Sequence, residues 1–313
     1  MDDGNKTDIP GFVLLGLSTV PELQEPLSIL FLFTYLLALL GNLLMVLLIR
    51  LDARLLHAPM YLFLSHLSLS DVGFASSTVP KMVQNMVTQT KTISHGGCLA
   101  QLYFFLAFGN TDSFLLAAMA YDRYAAICRP LHYTILMSPK RCLLLAGGCW
   151  LLGFLHSLLY TLMMSRLSFC ASRVIPHFFC DLQPLLKLSC SNTASIQMVV
   201  FTEGTLTMVG PFLLILLSYL LILSKVMKVP TATGKRKAFS TCSAHLTTVA
   251  LFFGSVIAVY IRPSSTYSTP KARVVAVVYT AVTPMLNPFI YSLRNSEVQG
   301  ALRKVCKREG SGP

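Results

Sequence analysis

Met119-Ala120-Tyr121-Asp122-Arg123-Tyr124 is the stretch on which the fold turns. It stands where the apolar segment 98–121 ends and a basic run through Arg129 begins, so an acid and an arginine lie side by side at the mouth of an apolar helix. Ionisable side chains are costly to take out of water in such a place, and they are usually kept there for function. The apolar segment itself matches the roughly 20 residues that an α-helix needs to cross a bilayer core. A membrane span with a polar working end is the reading.

Six further segments have similar length and character: 27–49, 59–80, 142–164, about 195–224, 238–261 and 274–293. Four of the seven carry no Asp, Glu, Lys or Arg, and the other three carry one acid each, Asp71, Asp112 and Glu203. The 313 residues are 54% hydrophobic and 12% charged, against about 25% charged in an ordinary soluble domain. Such a chain cannot coat a globule with polar surface. The expectation is an all-α membrane protein, a seven-transmembrane helix bundle over residues 26–293. An outer N-terminal segment, 1–25, precedes it, and a tail, 294–313, with a short amphipathic helix follows.

Lys and Arg concentrate in cytoplasmic loops, and this fixes the expected orientation. With the N-terminus extracellular, sixteen of the 25 basic residues fall inside, among them Arg50, Arg54, Arg123, Arg129, Lys140, Arg141, Lys225 and Lys228. An odd number of spans then leaves the C-terminus cytoplasmic, in keeping with the basic tail. The net charge of +12 is read as an inner face set against anionic lipid and an acidic-faced protein, and not as a nucleic-acid surface. The first 25 residues hold five acids and Lys6 alone among bases, without the order of a cleavable signal peptide, so the first span serves as the signal. Asn5-Lys6-Thr7 is a glycosylation sequon on this outer segment.

Cys98, Cys170, Cys180 and Cys190 fall on the outer side, where disulfides form, and four cysteines allow three pairings that spacing does not choose between. A bridge from Cys98 to the long loop before the fifth span would stabilise by about 4 to 5 kcal/mol in the loop-entropy account. Cys128, Cys142, Cys149, Cys242 and Cys306 are membrane-embedded or cytosolic and stay reduced, with Cys306 placed for palmitoylation. No metal-ligand cluster, phosphate loop or nucleophile constellation appears, so the chain does not read as an enzyme.

Several runs, taken in order, carry a resemblance. They are Gly41-Asn42; Leu56-His57-Ala58-Pro59-Met60-Tyr61; Met119 to Cys128 with Arg129-Pro130-Leu131-His132-Tyr133; Ser218-Tyr219; Lys237 to Leu246; and Pro284 to Asn295, which contains Asn287-Pro288-Phe289-Ile290-Tyr291. From about residue 10 to 306 the chain resembles a vertebrate olfactory (odorant) receptor of the rhodopsin-like G-protein-coupled class. The resemblance implies disulfides Cys98–Cys180 and Cys170–Cys190, and a plasma-membrane protein of olfactory neurons, in their cilia. It also implies an agonist-driven swing of the sixth helix that opens a cavity for a stimulatory, olfactory-type G protein α subunit and so raises cyclic AMP. Arg123 would lie in the floor of that cavity, its planar fork held by Asp122 until the switch releases it; Asp122, Tyr124, Asn287 and Pro288 belong to the same switch, with Tyr219 and Tyr291 steadying the open state. Three departures stand out: Leu55 and Leu56 lengthen the first inner loop by a residue, Phe253 stands for a usual Tyr, and Ala125 for a usual Val.

Pro288 removes a backbone donor and bends its helix, giving a place where two packings can lie close in energy. Asp71 and Asp112 occupy the apolar middle of two spans, where two neighbouring carboxylates cannot both stay charged without a cation or a proton. The receptor class places Na⁺ between such groups with Asn287 nearby; a protonated, hydrogen-bonded packing node is the alternative. His66 and His156 read as satisfied bundle histidines and not as metal ligands.

Gly109 lies about 21 Å along its helix from Arg123, which separates a ligand site from the switch. Helical spacing puts Phe105, Leu106, Gly109, Asn110 and Ser113 on one face of the third helix, and Phe253, Val256, Ile257 and Tyr260 on one face of the sixth. Glu203, Thr207 and Thr280 complete a mostly apolar cavity suited to a small volatile molecule. Two rivals are a rhodopsin-like receptor for a non-odorant ligand, and a secondary transporter, although no internal repeat is evident.

Overall fold

Away from water, main-chain N–H and C=O groups must be paired within their own segment, so the apolar runs become helices. The computed structural model describes residues 11–18, 20–170, 173–260 and 269–309. The helices are α1 (Gln24–Leu51), α2 (Ala53–Leu56), α3 (Pro59–Thr88), α4 (His95–Cys128), α5 (Tyr133–Leu136) and α6 (Pro139–Ser165). They continue with α7 (Leu182–Leu188), α8 (Ala194–Met227), α9 (Ala232–Tyr260), α10 (Pro270–Val277), α11 (Thr283–Arg294) and α12 (Ser296–Glu309). The spans are α1, α3, α4, α6, α8, α9 and the α10–α11 pair, and α12 is the expected extra helix after the last of them.

Among the described residues, six helices are apolar enough over their length to cross a membrane. α3 is the span that falls outside this group, and the reason is where it sits. It packs against α1, α4 and α6, and its Ser65, Ser68, Ser70, Asp71, Thr78 and Asn85 are all buried in the bundle. α4 is the other interior helix, touching α3, α6, α8 and α9.

Close packing depends on particular small residues. A Cβ on Gly41 would stand 2.8 Å from the Pro288 ring, so glycine is what lets α1 lie against α11. One on Gly153 of α6 would meet the Thr111 hydroxyl of α4. Pro288 has no N–H to give to the Pro284 carbonyl four residues back, and Asn42 Nδ2 fills the gap by donating to it at 2.8 Å. Pro284 in turn follows a wide π-turn, Val278–Val282, of the kind often found at functional sites.

At one end of the bundle a three-stranded sheet forms, with β1 (Gly11–Leu14) between β2 (Thr92–Ser94), antiparallel, and β3 (Val174–Ile175), parallel. Both expected disulfides are present there: Cys98–Cys180 joins α4 to the loop after β3, and Cys170–Cys190 closes that loop on itself. Arg273 of α10 donates to the Gly16 carbonyl at 2.7 Å and ties the strand segment to the last span. Asn5 lies outside the described residues, as do the side chains of Tyr260 and Cys306.

At the opposite, basic end, the extra residue of the first short loop is absorbed in α2. Asp52 caps that helix through the Arg54 N–H at 3.0 Å, and Leu55 points into the core at 2% exposure. The same carboxylate accepts from Lys304 of α12 at 2.9 Å. Lys304, and after it Arg54, hold the Asp52 carboxyl well below the usual carboxylate range.

Candidate functional site

At the basic end α4 delivers Asp122, Arg123 and Tyr124 on its last two turns. Asp122 is buried and accepts a hydrogen bond from the Tyr133 hydroxyl of α5 at 2.8 Å. Among the described residues the ion pairs are Arg54–Asp52 and Lys304–Asp52, and Arg123 enters neither. Asp122 thus takes its hydrogen bond from Tyr133, and the Arg123 charge acts on it from outside ion-pair distance. Successive side chains on a helix point about 100° apart, so Asp122 turns toward the loop helix while Arg123 stays half-buried. Tyr124 packs against the small cluster of Ile222, Val226 and Cys242 from α8 and α9.

Tyr219 of α8 stacks on His245 of α9 with ring centroids 5.7 Å apart. His245 Nε2 lies 3.0 Å from the Leu116 carbonyl, which can only accept, so Nε2 carries the proton of a neutral ring. Nδ1 is then the acceptor, and the Tyr219 hydroxyl donates to it at 2.8 Å. One hydrogen-bonded line thus joins α8, α9 and α4. Tyr291 is buried beside it, with the Thr248 side chain of α9 next to its hydroxyl. A cleft of about 150 Å³ separates α8 from α9 on this side, lined by Tyr219, Ile222, Val226, Cys242 and Leu246 with others.

In the middle of the bundle Asn287 Nδ2 donates to Asp71 Oδ2 at 2.8 Å. Asp112 is buried alongside, and Asp112 Oδ1 and Asn287 Oδ1 are left without hydrogen-bond partners. An all-oxygen set with two carboxyl groups suits a small hard cation such as Na⁺.

Toward the disulfide end the expected single face of α4 divides. Phe105 stacks on Phe74 at 5.1 Å and tilts on Phe179 at 4.7 Å, while Gly109 lies against the Phe74 ring. Asn110 turns the other way, and its Nδ2 donates to His156 Nδ1 of α6 at 3.0 Å. Leu106 lies between the two hydrophobic clusters on either side. Ser113 is fully buried with its hydroxyl unpartnered. Val256 joins Phe105, Phe179 and Tyr279 in one cluster, and Phe253 meets Phe212 at 5.4 Å. Ile257, however, is 37% exposed, because the sixth-helix face is narrower than a residue set at 253, 256 and 257 requires. Thr207 and Thr280 spend their hydroxyls on their own helices, donating to the Glu203 carbonyl at 2.9 Å and the Ala276 carbonyl at 2.8 Å. Glu203 itself is half-buried.

A family model described as olfactory receptor matches residues 31–308. Olfactory receptor 1L6 of Homo sapiens is 59% identical over 298 residues, covering 95% of this chain and 86% of that one. Olfactory receptor 1L4 of Homo sapiens is 58% identical over 298 residues, covering 95% and 96%. Olfactory receptor 1E16 of Mus musculus is 54% identical over 310 residues, covering 99% and 98%. The chain belongs to the olfactory receptor family.

It is thus a multi-pass plasma-membrane receptor of the G-protein-coupled class, working in sensory transduction and not in catalysis, and the transporter alternative falls away. In the sequence of this olfactory receptor Tyr133 stands only as the end of a run, and Phe178, Phe179 and Tyr279 carry no motif. His245 stands inside the run Lys237 to Leu246, and His156 in an apolar span with nothing around it to mark a partner. Phe178 and Phe179 are fully buried and close the bundle mouth over Phe105. Their position next to Cys180 was the available signal, since the bridge to Cys98 pins that part of the loop over α4.

Proposed function

We propose that the receptor lies with its N-terminal segment, residues 1–25, outside the cell and its tail, 294–313, in the cytoplasm. It binds a small, volatile, mostly apolar odorant and activates a stimulatory, olfactory-type heterotrimeric G protein, raising cyclic AMP, in the ciliary membrane of olfactory neurons. The odorant is held near Phe105, Leu106, Asn110, Ser113, Glu203, Phe253 and Val256, with Gly109, Thr207, Thr280 and Tyr260 around it and Ile257 at the edge. Arg123 is the group offered to the G protein, and Asp122, Tyr124, Tyr219, Asn287, Pro288 and Tyr291 adjust its surroundings. Na⁺ between Asp71 and Asp112, with Asn287, favours the closed arrangement.

The observation that carries this reading is the state of Arg123: a permanently charged guanidinium, half-buried at the basic end, and in no ion pair among the described residues. A second helix placed in the opened mouth would supply the acceptors it lacks. An agonist accomplishes this only by binding the open arrangement more tightly than the closed one.

The test is an odorant-panel cyclic AMP assay on surface-expressed receptor, with Arg123→Ala alongside. The parent responds to at least one member, and the variant reaches the surface but loses the response. An undiminished response in Arg123→Ala would remove Arg123 from the mechanism. For the ion, agonist potency in purified receptor should fall as Na⁺ replaces K⁺, and Asp71→Asn should abolish that dependence. A Na⁺ effect that survives in Asp71→Asn would place the ion elsewhere.

A further inference from the structure

His156 carries a buried polar atom that no other group among the described residues uses. Its Nδ1 lies 3.0 Å from Asn110 Nδ2, and an amide nitrogen can only donate, so Nδ1 accepts and the proton of the neutral ring sits on Nε2. Among the described residues that Nε2 has no hydrogen-bond partner, although it is shielded from solvent. The ring is held from two sides, by Asn110 of α4 and by the Tyr160 ring, whose centroid is 4.5 Å away at 81°. Tyr160 is itself fixed, 2% exposed, with its hydroxyl 3.5 Å from the Val199 carbonyl of α8. A donor held in place and left unpaired in a low-dielectric interior costs free energy until something accepts from it.

The surroundings say what that something is. On α8, Glu203 is close enough to act electrostatically on both His156 and Tyr160, yet it makes no hydrogen bond to either within the described contacts. Gly204, next to it, leaves space: a Cβ there would have as its nearest neighbour the Tyr160 hydroxyl at 3.9 Å. One turn along α4 from Asn110, the buried Ser113 hydroxyl is also unpartnered among the described residues.

We infer that His156 is a specificity-determining residue of the odorant site, donating from Nε2 to the single neutral oxygen of an otherwise apolar ligand, a carbonyl or a hydroxyl. This rests on the odorant-receptor reading above and adds the ligand's chemical class to it. Asn110 is the positioning residue that keeps the donor tautomer. The Glu203 carboxyl beside the site disfavours a carboxylic acid ligand, because two carboxyl groups confined there cannot both ionise without a cation.

The test compares ligands that share a carbon skeleton. A broad odorant panel first finds agonists of the surface-expressed parent by cyclic AMP. Each agonist is then set against its oxygen-free analogue and its carboxylic acid, in the parent, His156→Phe and His156→Gln. His156→Phe keeps a ring against Tyr160 and removes both nitrogens; His156→Gln restores an N–H donor. The agonists are aldehydes, ketones, esters or alcohols, with both analogues weaker in the parent. Their potency drops about tenfold in His156→Phe, the factor equivalent to about 1.4 kcal/mol, and recovers in part in His156→Gln. Responses to carbonyl against hydroxyl members then tell which oxygen is preferred.

Agonists without oxygen, or oxygen-bearing agonists whose potency is indifferent to His156→Phe at equal surface expression, overturn the inference and leave the receptor reading intact. Equal loss for a ligand and its oxygen-free analogue shows a purely structural role and also overturns it. A parent that reaches the surface and answers nothing overturns the odorant reading together with this inference.

Discussion

Single side chains here act by supplying what a neighbour lacks. Asn42 gives its amide to the carbonyl that Pro288 leaves open, so Asn42→Ala leaves a buried acceptor unpaired and lowers stability by about 1 to 3 kcal/mol. A thermal melt of purified receptor in lipid discs reads this as a lower midpoint. An unchanged midpoint would mean that the Pro284 carbonyl finds another donor. Tyr219 and His245 are 2.8 Å apart, and a double-mutant cycle with Tyr219→Phe and His245→Phe should return a coupling of about 0.5 to 1.5 kcal/mol. Additive effects would show that the line from α8 to α4 carries no energy of its own. The residues that matter were legible in the sequence; their partners were not. Asp122, Tyr219 and Asn110 could be named from spacing and motif. Tyr133, His245 and His156 are chosen by how helices rotate against one another, which no local pattern records.

Helices here meet at places with no room for a methyl group. Gly153→Ala on α6 drives a Cβ into Thr111 of α4 and costs about 1 to 3 kcal/mol of overpacking strain. Gly148→Ala, where a Cβ meets nothing within 4 Å, serves as its neutral control. Equal surface expression and melting of the two variants would contradict the close α4–α6 contact. α12 is fastened by Asp52, whose depressed carboxyl pKa means that the Lys304 contact persists at neutral pH and is lost only as pH falls below the ordinary carboxylate value of 3.8. Both basic partners are exposed, so the fastening is weak and screened by salt. Seven spans could be counted from apolar length alone, even α3, whose polar residues face inward. The three-stranded sheet, α7 and the π-turn at Val278–Val282 could not, since short elements are set by tertiary contacts and by the missing N–H of Pro284.

For the molecule as a whole, the disulfide end is a packed lid and the basic end a loose mouth. The lid should respond to pH at His177, which is fully buried; burial, with Arg273 adding, pushes its imidazole down to about 3. The unfolded loop takes up a proton near the ordinary value of 6.5, so lid stability is whole above that pH and declines as pH falls toward about 3. Hydrogen exchange of residues 174–186 should quicken over that range, and His177→Phe should flatten the change; equal acceleration in the variant would place the sensitivity elsewhere. The disulfide pairing, which cysteine spacing left open among three choices, came only through family resemblance, because it depends on where the loop lies over the bundle.

In the proposed function a swing of α9 away from α4 joins the two ends, and it can be measured as a distance. Spin labels at Leu131, 90% exposed beyond α4, and at Arg236, exposed on the first turns of α9, report on the basic mouth. Agonist together with G protein should lengthen the Leu131–Arg236 distance, and Asn110→Ala should blunt the agonist's part of that change. A distance that stays fixed while the same agonist raises cyclic AMP would contradict the account.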